Sequence, residues 1–253
     1  MPLIRTARAP SERRWSVEAL AGRLVELSAP AHGPGALYTA ASALLVECQL
    51  RGEIAAWVAA GPAHFHPGDL VECGVDLAAL PVVRAGDLAR AARAADRLLR
   101  SGGFGLLVLD LIEASRGKEL TSRAPRAASP PRVSPPRESS PSTDRRTSRR
   151  VPGYVNPVAP SDRQALSSDG TLQVSLLARL AGLARHHQTV LVVLTQKPSD
   201  SPSIGSIVSL RAESVLRRTA FDRFEWSLDV LKDKTQGGGW RHAAVCRGPE
   251  GLC

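Results

Sequence analysis

Residues 22 to 37 have the frame of a phosphate-binding loop, in which a short apolar strand enters a Gly/Pro loop and a helix follows. Such a loop binds phosphate through backbone N–H groups, whereas a lysine and a hydroxyl hold the terminal phosphates and Mg²⁺. Gly33 and Gly35 keep the loop glycines, but Gly35-Ala36-Leu37 stands where Gly-Lys-Ser/Thr is required. Losing the ammonium removes roughly 1.5 to 3 kcal/mol, which weakens nucleotide binding by about tenfold to a hundredfold. The motif predicts a vestigial nucleotide site, although any strand, turn and helix can carry two glycines.

Asp110 is a second candidate for phosphate chemistry, because it ends the apolar run that starts at Leu106. A carboxylate at the C-terminal end of a central strand can orient Mg²⁺ beside a phosphate-binding loop. The same residue also fits a strand-end Asp that makes only local hydrogen bonds. With no lysine or metal-binding hydroxyl beside it, we expect no catalytic residue, no metal site and no cofactor beyond weak residual nucleotide binding.

The positive charge of the chain is concentrated in one segment. Of the net charge of +9 over 253 residues, residues 116 to 163 carry +7, from eleven Arg and Lys residues against four acidic ones. The segment also holds nine prolines and almost no large apolar side chains, so we expect a disordered insertion. Its candidate phosphate contacts are Arg132, Arg137, Arg145, Arg146, Arg149 and Arg150.

An arginine-rich arm of this kind predicts DNA binding that depends strongly on salt and not on base sequence. The arm lacks the interleaved aromatic residues that stack on single-stranded bases. Two alternatives stay open: a solvated linker, and an extended Pro-Pro-Arg segment that docks on a protein partner.

Several protein classes are disfavoured by composition. The four cysteines are far apart with no C-x-x-C pair, which indicates reduced thiols and not a disulfide framework. The N-terminus lacks the apolar core of a signal peptide, and no apolar run approaches the roughly 18 residues of a membrane span. We expect a cytoplasmic protein with no membrane partner.

The elements that would position these residues alternate between apolar strands and amphipathic helices. Predicted strands cover 23–28, 54–58, 81–84, 106–110, 189–195, 208–215, 223–232 and 243–247, and predicted helices cover 36–51, 67–73, 87–101 and 172–186. This order favours an α/β fold, a mostly parallel sheet with helices on both faces and antiparallel strands at the C-terminal edge. We expect a short irregular segment at 1–19 and one core domain over 20–253, interrupted at 116–163.

From about residue 20 to residue 248, the order of these features resembles the RecA core. The resemblance is carried by Gly22 to Leu27, Cys73 to Leu77, Arg100-Ser101-Gly102, Leu180-Ala181-Gly182, Thr195-Gln196 and Leu231-Lys232-Asp233-Lys234. The truncated and degenerate form is most similar to the ImuA family, RecA-like accessory proteins of bacterial SOS mutagenesis.

The resemblance implies a RecA-like P-loop core and particular roles for some residues. Asp110 matches the Walker B carboxylate, and Gln196 matches the residue that senses the terminal phosphate. Lys232 and Lys234 match lysines that reach across a subunit interface to the neighbour's nucleotide. The family's water-activating glutamate is missing, since residues 59–63 contain no acid. Gln196 also fits a polar strand end, and the two lysines also fit a solvated strand face.

The function implied by the resemblance is a non-catalytic adaptor in SOS-induced translesion DNA synthesis. The implied partners are RecA, ImuB and an error-prone DnaE-type polymerase, with DNA as a further partner through the basic insertion. Self-polymerisation is not expected. One alternative is a SulA-like cell-division inhibitor that binds FtsZ, and another is a residual ATP-dependent DNA-binding enzyme.

Overall fold

The computed structural model describes residues 15–30, 35–61, 65–112 and 174–247. Its helices are α1 (Val17–Leu20), α2 (Leu37–Leu50), α3 (Pro67–Glu72), α4 (Leu88–Ser101) and α5 (Val174–His187). Its strands are β1 (Leu24–Ala29), β2 (Ala55–Ala60), β3 (Val82–Ala85), β4 (Leu106–Asp110), β5 (Val190–Gln196), β6 (Leu210–Ala220), β7 (Arg223–Asp233) and β8 (Arg241–Arg247). The predicted basic insertion and its six candidate arginines lie outside the described residues.

The strands form one eight-stranded sheet in the order β3-β2-β4-β5-β1-β6-β7-β8. The first six of these strands pair in parallel, and β7 and β8 pair antiparallel to their neighbours. The predicted α/β class, with a mostly parallel sheet and antiparallel strands at the C-terminal edge, is confirmed. The pattern did not show that β6 runs parallel to β1 on one side and antiparallel to β7 on the other.

Each face of the parallel sheet has its own apolar core. On one face, α2 packs Leu44 and Leu45 against strand residues that include Leu27 and Trp57. On the other face, α4 and α5 contribute Leu99, Leu177 and Leu180. Strands β1, β2 and β4 are buried along their whole length, which is why they read as continuous apolar runs.

Capping residues fix the ends of α4 close to the ends that the sequence predicts. The Asp87 carboxylate accepts a 2.8 Å hydrogen bond from the Arg90 N–H, and Gly102 closes α4 with a φ of +69°. The helix α1 lies before the predicted start of the core at residue 20, and Trp15 and Val17 are buried with the core residues. Strand β6 continues to Ala220, five residues past its predicted end, because its charged second half pairs with β7.

A buried ion pair connects the beginning of β1 to the end of β7. The Arg23 guanidinium lies 2.6 Å from Oδ1 of Asp233, whose side chain has no exposed surface. Asp233 also accepts hydrogen bonds from the Thr235 N–H at 2.8 Å and from Trp240 Nε1 at 3.2 Å. Arg23 in turn donates to the Ser209 carbonyl, just before β6. These bonds join three strands at one end of the sheet.

We predict that Asp233→Asn destabilises the fold by roughly 3 kcal/mol, because it leaves the Arg23 charge buried without its partner. Chemical denaturation of the two proteins measures the difference. The matched control is Asp229→Asn, since Asp229 on the same strand is half-exposed and pairs with Arg241 at 3.3 Å. The control should lose less than about 1 kcal/mol, and equal losses in both variants would contradict the central role of Asp233.

The contribution of Asp233 to the free energy of unfolding is expected to disappear in acid. Burial opposes its ionisation, but hydrogen bonds from the Thr235 and Gln236 N–H groups and from Arg23 outweigh burial and lower its pKa. A lowered carboxyl pKa stabilises the fold above the unfolded-state pKa of about 4, and that stability is lost as the pH falls through the folded-state value. The unfolding free energies of wild type and Asp233→Asn should therefore converge below about pH 4. A difference that is the same at pH 3 as at pH 7 would exclude this linkage.

Candidate functional site

The carboxyl ends of the parallel strands bring three sequence candidates to one edge of the sheet. Asp110 lies opposite Ala59 on one side and Leu194 on the other, and Gln196 lies opposite Ala29. The loop that carries Gly33 and Gly35 follows Ala29, although residues 31–34, and with them Gly33, lie outside the described residues. Gly35, Asp110 and Gln196 therefore lie at the same edge of the sheet.

The loop approaches β1 closely at Gly35. A Cβ atom at this position would lie 2.6 Å from the Cβ of Ala29, so only glycine fits without a shift of the chain. Ala36 and Leu37, at the positions of the missing lysine and hydroxyl, are both buried. The helix α2 starts there without a side-chain cap, so this end of the loop offers backbone groups and two apolar side chains.

Asp110 is almost fully buried, and its two oxygens accept hydrogen bonds from the protein itself. The Tyr38 hydroxyl donates to Oδ2 at 3.1 Å, and the Ile112 N–H donates to Oδ1 at 3.1 Å. Tyr38 is held in place by Trp57, whose ring is stacked on it at 5.8 Å and is itself in edge contact with Phe65. Both carboxylate oxygens are thus engaged in structural bonds.

Tyr38 and its contact with Asp110 are absent from the sequence interpretation. The signal that could have found them is a polar aromatic residue in the first turn of α2, which has no other aromatic residue. The strand-end alternative for Asp110, a carboxylate with local hydrogen bonds, describes the observed contacts.

A second site missed by the sequence interpretation surrounds Glu26, which is fully buried in the middle of β1. Its Oε1 lies 2.5 Å from Nζ of Lys197, and its Oε2 accepts a 3.0 Å hydrogen bond from the Ile204 N–H. Burial lowers the pKa of Lys197, and the bond to Glu26 opposes that effect. The sequence signal that could have revealed this site is a charged residue in the middle of an apolar strand.

Three cations hold the segment that follows Gln196. The Arg211 guanidinium donates to the carbonyls of Ser201 and Pro198, the latter at 2.9 Å. Lys197 Nζ donates to the Pro202 carbonyl, and Lys234 Nζ donates to the Ser206 carbonyl. We call residues 197–209 the β5–β6 loop; protein charges fix its path over the sheet.

The lysines of the Lys-Asp-Lys motif lie away from Asp110. Lys232 pairs with Arg211, which pairs with Glu26, so four strand spacings, about 19 Å, separate β7 from β4. Partial burial lowers the pKa of Lys232, and the neighbouring Lys234 and Arg211 lower it further. Lys232 and Lys234 therefore belong with the β5–β6 loop and not with the phosphate-loop edge.

Neither a metal centre nor a membrane span is found within the described ranges. No group of three or more His, Cys, Asp or Glu residues there could hold a metal ion. In the same ranges, no helix combines the length and apolar character needed to cross a bilayer. Cys48, Cys73 and Cys246 are free thiols, and burial raises the pKa of Cys48 to about 12.

The chain matches no known protein-family model, and no curated protein has a significantly similar sequence.

We predict a coupling of roughly 1.5 to 3 kcal/mol between Tyr38 and Asp110, the range of a hydrogen bond to a charged group. A double-mutant cycle with Tyr38→Phe and Asp110→Ala measures this coupling through unfolding free energies. Phe keeps the ring on Trp57, so the cycle isolates the hydroxyl. Losses that add within about 0.5 kcal/mol would show that the two groups do not interact.

Proposed function

We propose that this protein is a non-catalytic, RecA-like adaptor in SOS-induced translesion DNA synthesis, which links ImuB and an error-prone DnaE-type polymerase to RecA or to damaged DNA. The observation that carries the proposal is the engagement of Asp110 by Tyr38 and the Ile112 N–H. A carboxylate used in this way, beside a loop without lysine, supports a binding role over nucleotide hydrolysis.

The loss of catalytic groups extends beyond the loop. Hydrolysis needs a base to activate water, and Ala59, Ala60 and Gly61 at the end of β2 offer none. The first two of these side chains are fully buried in the core. The lysine and the family's water-activating glutamate are missing from the sequence, and each oxygen of Asp110 already accepts a hydrogen bond from the protein.

Recruitment requires a surface with a stable shape, and the β5–β6 loop offers one. In RecA, which this chain resembles, the residue that matches Gln196 couples the bound nucleotide to the segment that follows it in the chain. In this chain the segment is held by Lys197, Arg211 and Lys234, which donate to its carbonyls. A surface fixed in this way is presented to a partner without nucleotide, as an adaptor without hydrolysis requires.

Lys232 supplies the charge of the proposed RecA contact. It lies beside Lys234 and Arg211 and is only partly buried, so its ammonium can reach an acidic group on a neighbouring molecule. The arginines of the basic insertion add a sequence-independent attraction to DNA phosphates in this proposal.

The test is a pull-down of purified RecA and of ImuB with the full chain and with Lys232→Ala/Lys234→Ala. We expect the double variant to lose RecA, by at least about tenfold in affinity, and to keep ImuB. The matched control is Arg217→Ala/Arg223→Ala, which removes the same charge from the exposed end of the same hairpin. The control should retain both partners.

Three results would contradict the proposed adaptor function. One is the absence of binding to both RecA and ImuB. Another is ATP turnover by the purified protein that Asp110→Ala abolishes, which would restore the enzyme alternative. The third is division arrest on overproduction with an unchanged mutation frequency, which would favour the SulA-like alternative.

A further inference from the structure

A cavity of about 500 Å³ lies at the edge of the sheet opposite Asp110. It lies before the first residues of β2 and β4, where Ile54 and Gly105 form part of its wall. Four glycines line it: Gly52, Gly102, Gly103 and Gly105. The space beside Gly52 and Gly103 is open, whereas the side chains of His187 and Glu53 pack closely on Gly102 and Gly105. The cavity shares no residue with the phosphate-loop edge or the β5–β6 loop.

The ends of three helices decide the sign of the charge that this cavity prefers. Its lining residues Arg51, Gly102 and His187 stand at the C-terminal ends of α2, α4 and α5, respectively. A helix C-terminus carries about half a negative charge from its aligned carbonyl groups. Three such ends around one space disfavour an anion and favour a cation.

The charged side chains that line the cavity also carry more negative than positive charge. Glu18 and Glu53 share one cationic partner, because the Arg51 guanidinium lies 3.7 Å from Glu18 and 3.4 Å from Glu53. Glu18, Glu53 and Arg51 together have a formal charge of −1. One further cation would balance the site.

Apolar side chains stand at the mouth of the cavity. Ile54 lines it and is 52% exposed. Phe104 adds an aromatic wall. Exposed apolar groups next to a charged cavity fit a ligand that has a methylene stem behind its charged end.

We propose that this cavity binds a lysine side chain of a partner protein, with its ammonium between Glu53 and the helix ends and apolar neighbours of the lysine on Ile54 and Phe104. A lysine joins a cationic end to a four-carbon stem, which matches the carboxylates and the apolar side chains that line the cavity. The proposed site does not depend on the adaptor function, since it uses none of the residues assigned there.

The test uses the full chain and two blocked peptides, Leu-Lys-Leu and Leu-norleucine-Leu, titrated by NMR. The lysine peptide should saturate resonances of the cavity residues and bind at least about tenfold more tightly than its neutral counterpart. Glu53→Gln removes a charge with little change in shape and should weaken the lysine peptide by about tenfold. Glu72→Gln, an exposed residue of α3 outside the cavity, is the control with the same change in net charge and should have no effect.

A steric variant distinguishes peptide binding in the cavity from nonspecific electrostatic attraction. Gly103 has an ordinary φ, and a Cβ atom at this position would have Ser101 Oγ, at 3.9 Å, as its nearest atom beyond the chain neighbours. Gly103→Leu is therefore accommodated without backbone strain and adds a bulky side chain to the wall of the cavity. It should abolish peptide binding while thermal unfolding stays cooperative. Equal binding of both peptides, binding that survives Gly103→Leu or Glu53→Gln, or no saturable binding up to about 10 mM would overturn the proposal.

Discussion

The buried pair of Arg23 and Asp233 is the constraint on which the C-terminal half of the sheet depends. Its two residues are 210 positions apart, and they join the first strand of the parallel part to the antiparallel hairpin. Desolvating two charges costs about as much as their attraction returns, so such a pair contributes more to one specific arrangement than to total stability. The N–H groups of Thr235, Gln236 and Trp240 complete the hydrogen bonding of Asp233. The pair therefore sets where β7 ends, and with it the positions of Lys232 and Lys234.

The same principle operates at Glu26, which lies on β1, three residues after Arg23. A carboxylate inside a β-strand is tolerated only with full compensation, and Lys197, Thr195 and the Ile204 N–H supply it. Because these partners lie at the end of β5 and in the loop behind it, their bonds also fix the course of that loop. The chain therefore holds the β5–β6 loop with its own charged side chains.

The two ends of the parallel strands have opposite characters. At the carboxyl end, Tyr38 stacks on Trp57 and its hydroxyl donates a hydrogen bond to Asp110. At the amino end, glycines after α2 and α4 leave a cavity lined by carboxylates and helix C-termini. Between these two ends, the sheet is held by its two apolar cores.

The sequence by itself determined the alternation of strands and helices, because apolar runs such as Leu106 to Asp110 and spaced leucines and alanines such as those of α4 report directly on burial. It also determined that the lysine of the loop is absent, which is a matter of residue identity. Only the tertiary structure decided the parallel pairing of β6 with β1, the contact of Tyr38 with Asp110, and the partners of Glu26 and Asp233. Each of these joins residues far apart in the chain, and local pattern contains no information about which distant polar group will satisfy a buried charge.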